Sequence, residues 1–210
     1  MYAYAICSAI GLMVGGWIAH KLPIARPAKT VRLPLYVCVI WGGILGAKIP
    51  VWLSYGVRGY LIQGKSVLGG LLGAFVAVHL YKMISGQKGG LGGRFVIPLA
   101  VAVGFGKIGC FLNGCCGGTL AFPVQLVESI FQFVVALGLY LFFKRTQRSD
   151  LLFPLYLLSY LLMRFVIEFW RMEPRLIAGM TVYQGLAILF IPICIFIIWR
   201  RAHDGMVAAG

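Results

Sequence analysis

Leu151 to Arg171 reads LLFPLYLLSYLLMRFVIEFWR, thirteen uncharged residues followed by Arg164, Glu168 and Arg171. An apolar run of about 20 residues is the length that carries a helix across a hydrocarbon core of roughly 30 Å. A charged side chain near the middle of such a helix costs about 2.5–3.5 kcal/mol on insertion scales, so it turns toward a protein interior. The three charges are spaced i, i+4, i+7 and therefore share one helix face. One face of this span belongs inside a bundle, and the rest of the chain must supply the bundle.

Six further apolar runs do so. With this one, at 151–170, they lie at about 2–19, 34–55, 67–84, 96–112, 123–143 and 182–199. The chain is 210 residues, 61% hydrophobic and 11% charged, with a mean hydropathy of +0.93, whereas soluble domains carry about 25% charged residues. The expectation is an all-α polytopic membrane protein of seven transmembrane helices, residues 1–210 forming a single domain with no long linker. A soluble enzyme, a secreted disulfide scaffold and a nucleic-acid-binding module are excluded, although the net charge is +14. The basic residues sit between spans, where they set topology and meet anionic headgroups. Twelve Lys and Arg follow spans one, three, five and seven, and four, Arg58, Lys65, Arg171 and Arg175, lie on the other side. This bias places the amino terminus outside and the carboxy terminus inside. The first span has no basic stretch before it, as a retained anchor would not.

Beyond Arg164, Glu168 and Arg171, the charges within or at the ends of spans are Lys48, Lys107 and Glu128. Four cations against two acids leave a surplus of two, suited to a phosphodiester. Gln125, Glu128 and Gln132, with Ser129 beside them, make a second polar stripe on span five, and two facing stripes predict a cavity. Gly42–Gly46 and Gly69–Gly73 have the small-xxx-small spacing of close helix pairs, and such a face also leaves room for a lipid or a phosphate. Cys110, Cys115 and Cys116 cluster after span four. They are open to three readings: packing, a disulfide from Cys110 to Cys115 or Cys116, or reactive thiols. Neither CxxC spacing nor a nearby His supports zinc, so no metal and no other cofactor is expected.

The order of motifs resembles the prolipoprotein diacylglyceryl transferase family. The matching pieces are Gly43-Ile44-Leu45-Gly46-Ala47-Lys48, Gly69-Gly70-Leu71-Leu72-Gly73, and Gly106-Lys107-Ile108-Gly109 followed by Phe111-Leu112-Asn113-Gly114. Phe122-Pro123-Val124-Gln125-Leu126-Val127-Glu128 and Arg164 through Pro174 complete them. The resemblance implies a bacterial cytoplasmic (inner) membrane enzyme that moves diacylglyceryl from phosphatidylglycerol to a lipoprotein cysteine, releasing glycerol phosphate. It implies an essential phosphate-side role for Arg164, and catalytic roles are expected for Arg164, Lys107, Glu128 and Glu168 together. Substrate contacts are expected from Lys48, Gly69, Gly70, Asn113, Gln125 and Arg171. The sequence departs from the family where Leu68 replaces a His, Lys107 an Arg, Cys110 an Asn and Cys115 an acid. These departures and the short outer loops point to an acceptor, protein or small molecule, that need not be the lipoprotein cysteine. The alternative reading is a non-catalytic phospholipid-binding or lipid-transport protein on the same scaffold. In both readings the partner is an anionic phospholipid.

Overall fold

A computed structural model describes residues 2–24, 28–61, 64–87, 92–115, 123–177 and 179–207. Seven long helices dominate it: α1 (Tyr2–Lys21), α2 (Lys29–Leu61), α3 (Val67–Ser85), α4 (Gly93–Leu112), α5 (Val124–Thr146), α6 (Leu152–Ile167) and α7 (Val182–Val207). Among the described residues, seven helical segments are long and apolar enough to cross a membrane. The expected runs match these helices in order, most ends agreeing within a turn; α2 and α7 run further than expected, and α6 stops at Ile167 where a 3-10 turn takes over. Arg200 and Arg201, expected in a tail, are part of α7.

Local chemistry sets the ends. Ser66 caps α3 by accepting from the Gly69 N–H at 3.1 Å, and Gly86 ends that helix at φ 63°. In α2, Gly56 takes φ 67° and ψ −158°, a conformation reserved for glycine, and bends the last turn away from the span. After α6 the chain tightens into a 3-10 turn, Glu168–Trp170. It then forms a two-stranded antiparallel hairpin of β1 (Arg175–Ile177) and β2 (Met180–Thr181). Thr181 and Gln184 cap α7 reciprocally: the Thr181 N–H donates to Gln184 Oε1 at 3.1 Å, and the Gln184 N–H donates to Thr181 Oγ1 at 3.3 Å. This is the capping-box arrangement, two orphan donors answered at once.

Helix α2 lies against α3, α1 against α4, α4 against α5, and α6 against α7. The α2–α3 contact is glycine against glycine. A Cβ on Gly46 would fall 2.6 Å from the Gly73 Cα, and one on Gly69 would strike the Gly46 carbonyl oxygen and the Pro50 ring. Without hydrophobic drive between helices in lipid, backbone approach of this kind supplies dispersion contact. The apolar core runs through the centre along Leu68, Leu72, Ala100, Leu157 and Leu161. Arg94, counted above as a topology charge, is buried at the foot of α4, where its guanidinium donates to the carbonyls of Ala19 at 2.6 Å, Leu22 at 3.4 Å and Ile24. It answers carbonyls left open at the end of α1.

Candidate active site

Helices α4, α5 and α6 bring Lys107, Glu128 and Arg164 to one end of the bundle, and the turn after α6 adds Glu168 and Arg171. Glu128 is the hub. Its side chain is fully buried and carries an ion pair to Lys107, a second to Arg164 Nη1 at 3.0 Å and a third to Arg171 Nη1 at 3.5 Å. Glu168, also fully buried, takes Arg164 Nη2 at 3.1 Å and Arg171 Nε at 3.9 Å. Arg171 reaches Glu173 at 3.2 Å through its other terminal nitrogen. Charged groups in a low-dielectric interior survive only as such mutually compensated networks.

The polar stripe of α5 faces inward along its length. Ser129 Oγ donates to the Gly104 carbonyl at 2.9 Å, and Gln132 Oε1 accepts from the Tyr156 hydroxyl at 3.0 Å. The stripes of α5 and α6 meet in direct contact rather than across the expected cavity. Burial opposes the charge of Arg171, just beyond its span, but Glu128, Glu173 and Glu168 outweigh it and hold its pKa above the ordinary arginine value.

Three participants escaped the sequence reading. Glu173 follows the end of the helix, where periodicity no longer reports facing; its Oε2 accepts from the Tyr55 hydroxyl at 2.9 Å. The Tyr183 ring lies beneath the Arg164 guanidinium, 4.4 Å from its carbon to the ring centroid, a cation–π contact. Tyr55 and Tyr183 stand at helix ends, where a sequence reader sees only the aromatic belt of a membrane interface. With Glu173 included, three cations of the network meet three acids, so the surplus of two expected from the spans is closed at this site.

The other expected site residues are placed as follows. Gln125 Nε2 donates to the Cys115 carbonyl at 2.9 Å, tying the loop after α4 to α5. Asn113 is the exposed cap of α4, its backbone N–H on the Gly109 carbonyl at 3.0 Å. Lys48 is half-buried on α2, about two turns inward of Tyr55. Gly69 and Gly70 face α2, a Cβ on Gly70 coming 3.4 Å from the Gly43 carbonyl oxygen; both sit in the helix contact. Leu68, at the family's histidine position, is buried in the apolar core. Cys110 is buried and Cys115 half-buried, and no disulfide joins the two, while Cys116 lies outside the described residues. Among the described residues no group of three His, Cys, Asp or Glu could hold a metal ion.

The family model for prolipoprotein diacylglyceryl transferase matches residues 1–200. The chain belongs to the prolipoprotein diacylglyceryl transferase family. Among its relatives are proteins named phosphatidylglycerol–prolipoprotein diacylglyceryl transferase. That of Clostridium tetani is 26% identical over 94% of this chain and 92% of its own length. The Nitratidesulfovibrio vulgaris protein is 29% identical over 96% and 89%, and the Idiomarina loihiensis protein 30% over 79% and 73%. The alignment with the Clostridium tetani protein spans 238 positions, more than the 210 residues of this chain, so that relative carries insertions absent here. As a member of this diacylglyceryl transferase family, the chain is a multi-pass membrane transferase.

Proposed function

We propose that this protein transfers diacylglyceryl from phosphatidylglycerol to the cysteine thiol of a lipoprotein precursor at the outer face of the bacterial cytoplasmic membrane. The observation that carries the chemistry is the convergence of Lys107, Arg164 and Arg171 on Glu128 at one end of the bundle. Arg164 Nε, moreover, is buried with no hydrogen-bond partner among the described residues. A planar guanidinium with a donor to spare matches a phosphate oxygen. The names of the relatives support the donor and the acceptor.

In the reaction the thiol sulfur attacks the glyceryl carbon bonded to the phosphate. The S–C bond forms, the C–O bond breaks, and its electron pair leaves on glycerol phosphate. The thiol proton passes to a carboxylate of the network. Developing negative charge on the leaving phosphate is met by Arg164, Arg171 and Lys107, preorganised in a site from which water is excluded. Because these cations are already paired, the phosphodiester enters by exchanging with a carboxylate. Glu173 is the partner best able to yield: its side chain is 14% exposed, against 0% for Glu128 and Glu168. Lys107 contributes charge where the family arginine would add a bidentate fork.

A second reading concerns the acceptor alone. The insertions present in the Clostridium tetani relative and absent here favour an acceptor smaller than a precursor protein. One experiment separates the readings: purified protein is incubated with labelled phosphatidylglycerol, with and without a lipoprotein-signal peptide, and all lipid, peptide and phosphate products are weighed by mass spectrometry. Glycerol phosphate released only with the peptide, together with a diacylglyceryl mass gain on its cysteine, is the expected result. Release without the peptide would move the assignment to another acceptor. No release under either condition would overturn the transferase reading.

A further inference from the structure

At the end of the bundle opposite the ionic network, the α1–α4 and α2–α3 pairs, closed by the start of α6, surround a cavity of about 530 Å³. This falls in the roughly 300–1,000 Å³ range of ligand sites. Its walls are apolar, Val39, Leu71, Val78 and Leu99 among them, and the charged residues Lys82, Asp150 and Arg201 gather with His79 at one end. The charge of Asp150 is answered from outside the cavity, since Arg148 Nη2 lies 3.0 Å from its Oδ2. Arg201 donates to the Asp150 backbone carbonyl and not to its carboxylate. Counting Arg148, three cations stand against one acid among the described residues there, and their sum is positive.

The length of the cavity is informative. Lys82 at its mouth and Leu71 at its depth are eleven residues apart on α3, about 16 Å of helix rise. That is about half of a hydrocarbon core of roughly 30 Å, the depth of one leaflet. Room is built in by Gly16, which lines the cavity and whose absent Cβ would meet nothing within 4 Å. A Cβ on its neighbour Gly15, in contrast, would fall 2.9 Å from the Pro98 carbonyl oxygen.

We propose that this cavity is a second lipid site, binding an anionic phospholipid of the leaflet opposite the ionic network. An acyl chain lies along the apolar walls and the phosphate sits at Lys82 and Arg201. The positive mouth selects an anionic headgroup, the apolar walls select a chain, and the one-leaflet depth places both in the facing monolayer. A lipid there fills the gap between two helix pairs and stabilises the bundle by mass action.

The test uses phosphatidylglycerol and phosphatidylcholine of identical chains, each with a photoreactive group at the end of one chain, incorporated into vesicles with the full-length protein. Cross-linked peptides are mapped by mass spectrometry. The phosphatidylglycerol probe is expected to label the wall segments around Leu12 to Ala19 and Leu71 to Val78, and the phosphatidylcholine probe to label them several-fold less. Lys82→Gln should lower that labelling about fivefold, the equivalent of ~1 kcal/mol for one basic residue at a membrane surface. Gly16→Leu, which fills the cavity, should lower it further with either probe. Equal labelling by the two probes, or labelling unchanged in Lys82→Gln, would overturn the proposal. Because the readout is the labelled position and not turnover, it is independent of the acceptor and of the reaction at the other end.

Discussion

Arg164 illustrates how one side chain can carry several roles at once. Its two terminal nitrogens hold Glu128 and Glu168, at 3.0 and 3.1 Å, its flat face rests on Tyr183, and its Nε is buried without a hydrogen-bond partner among the described residues. Arg164→Ala should lower turnover by about 10²–10³-fold, as loss of a single preorganised donor to a developing oxyanion does. Glycerol phosphate release per inserted protein is the measurement, and turnover within tenfold of wild type would remove Arg164 from the chemistry. Glu128→Gln should act differently. It leaves three buried cations without their shared counter-ion, and breaking even one buried pair costs about 3–5 kcal/mol. Thermal unfolding in detergent should therefore shift far more for Glu128→Gln than for Glu173→Gln, whose carboxylate is nearer the surface.

At the scale of elements, the α2–α3 pair and the start of α7 hold the site in place. Tyr55 stands at the end of the α2 span and Ser66 caps α3, so displacement of either helix moves the rim of the ionic network. Gly46→Leu inserts a side chain where the Gly73 Cα lies 2.6 Å from the Cβ position. The substitution should cost at least the ~1–3 kcal/mol typical of overpacking, seen as a lower melting temperature. Gly16→Leu, on an open helix face, should leave melting without lipid within a few degrees of wild type. Thr181→Ala removes one half of the α7 capping box and should cost about 1 kcal/mol. Since Tyr183 lies two residues inside that helix, turnover should fall beyond what the stability change explains; an unaltered rate would mean that the cap does not position the ring.

For the whole molecule the outstanding prediction is orientation. The ionic network and the cavity occupy opposite ends, and the bias of twelve basic residues following spans one, three, five and seven predicts that the cavity end faces the cytoplasm. In a variant whose native cysteines are replaced by alanine, a cysteine at Lys65 should react with a membrane-impermeant maleimide in intact cells. A cysteine at Thr146 should react only after lysis. The reverse pattern would put the reaction on the cytoplasmic face and contradict the proposed use of an exported precursor.

The seven spans were legible in the sequence because a bilayer imposes one length and one composition on every helix that crosses it. The shared face of Arg164, Glu168 and Arg171 and the inward stripe of Gln125, Glu128 and Gln132 were legible for a similar reason, since helical spacing alone puts them on a line. The glycine pairs announced the close approach of α2 and α3 by their four-residue interval. Which charges meet was not legible. Glu173 joins the network because the chain leaves the helix after Trp170 and folds back as a hairpin, and no periodicity survives such a turn. Only the tertiary packing turned a predicted surplus of two positive charges into a balanced set of three cations and three acids. It also put the cavity at the other end of the bundle. Spacing within one helix follows from covalent geometry, whereas contact between helices depends on how their surfaces fit, and that is a property of the assembled bundle.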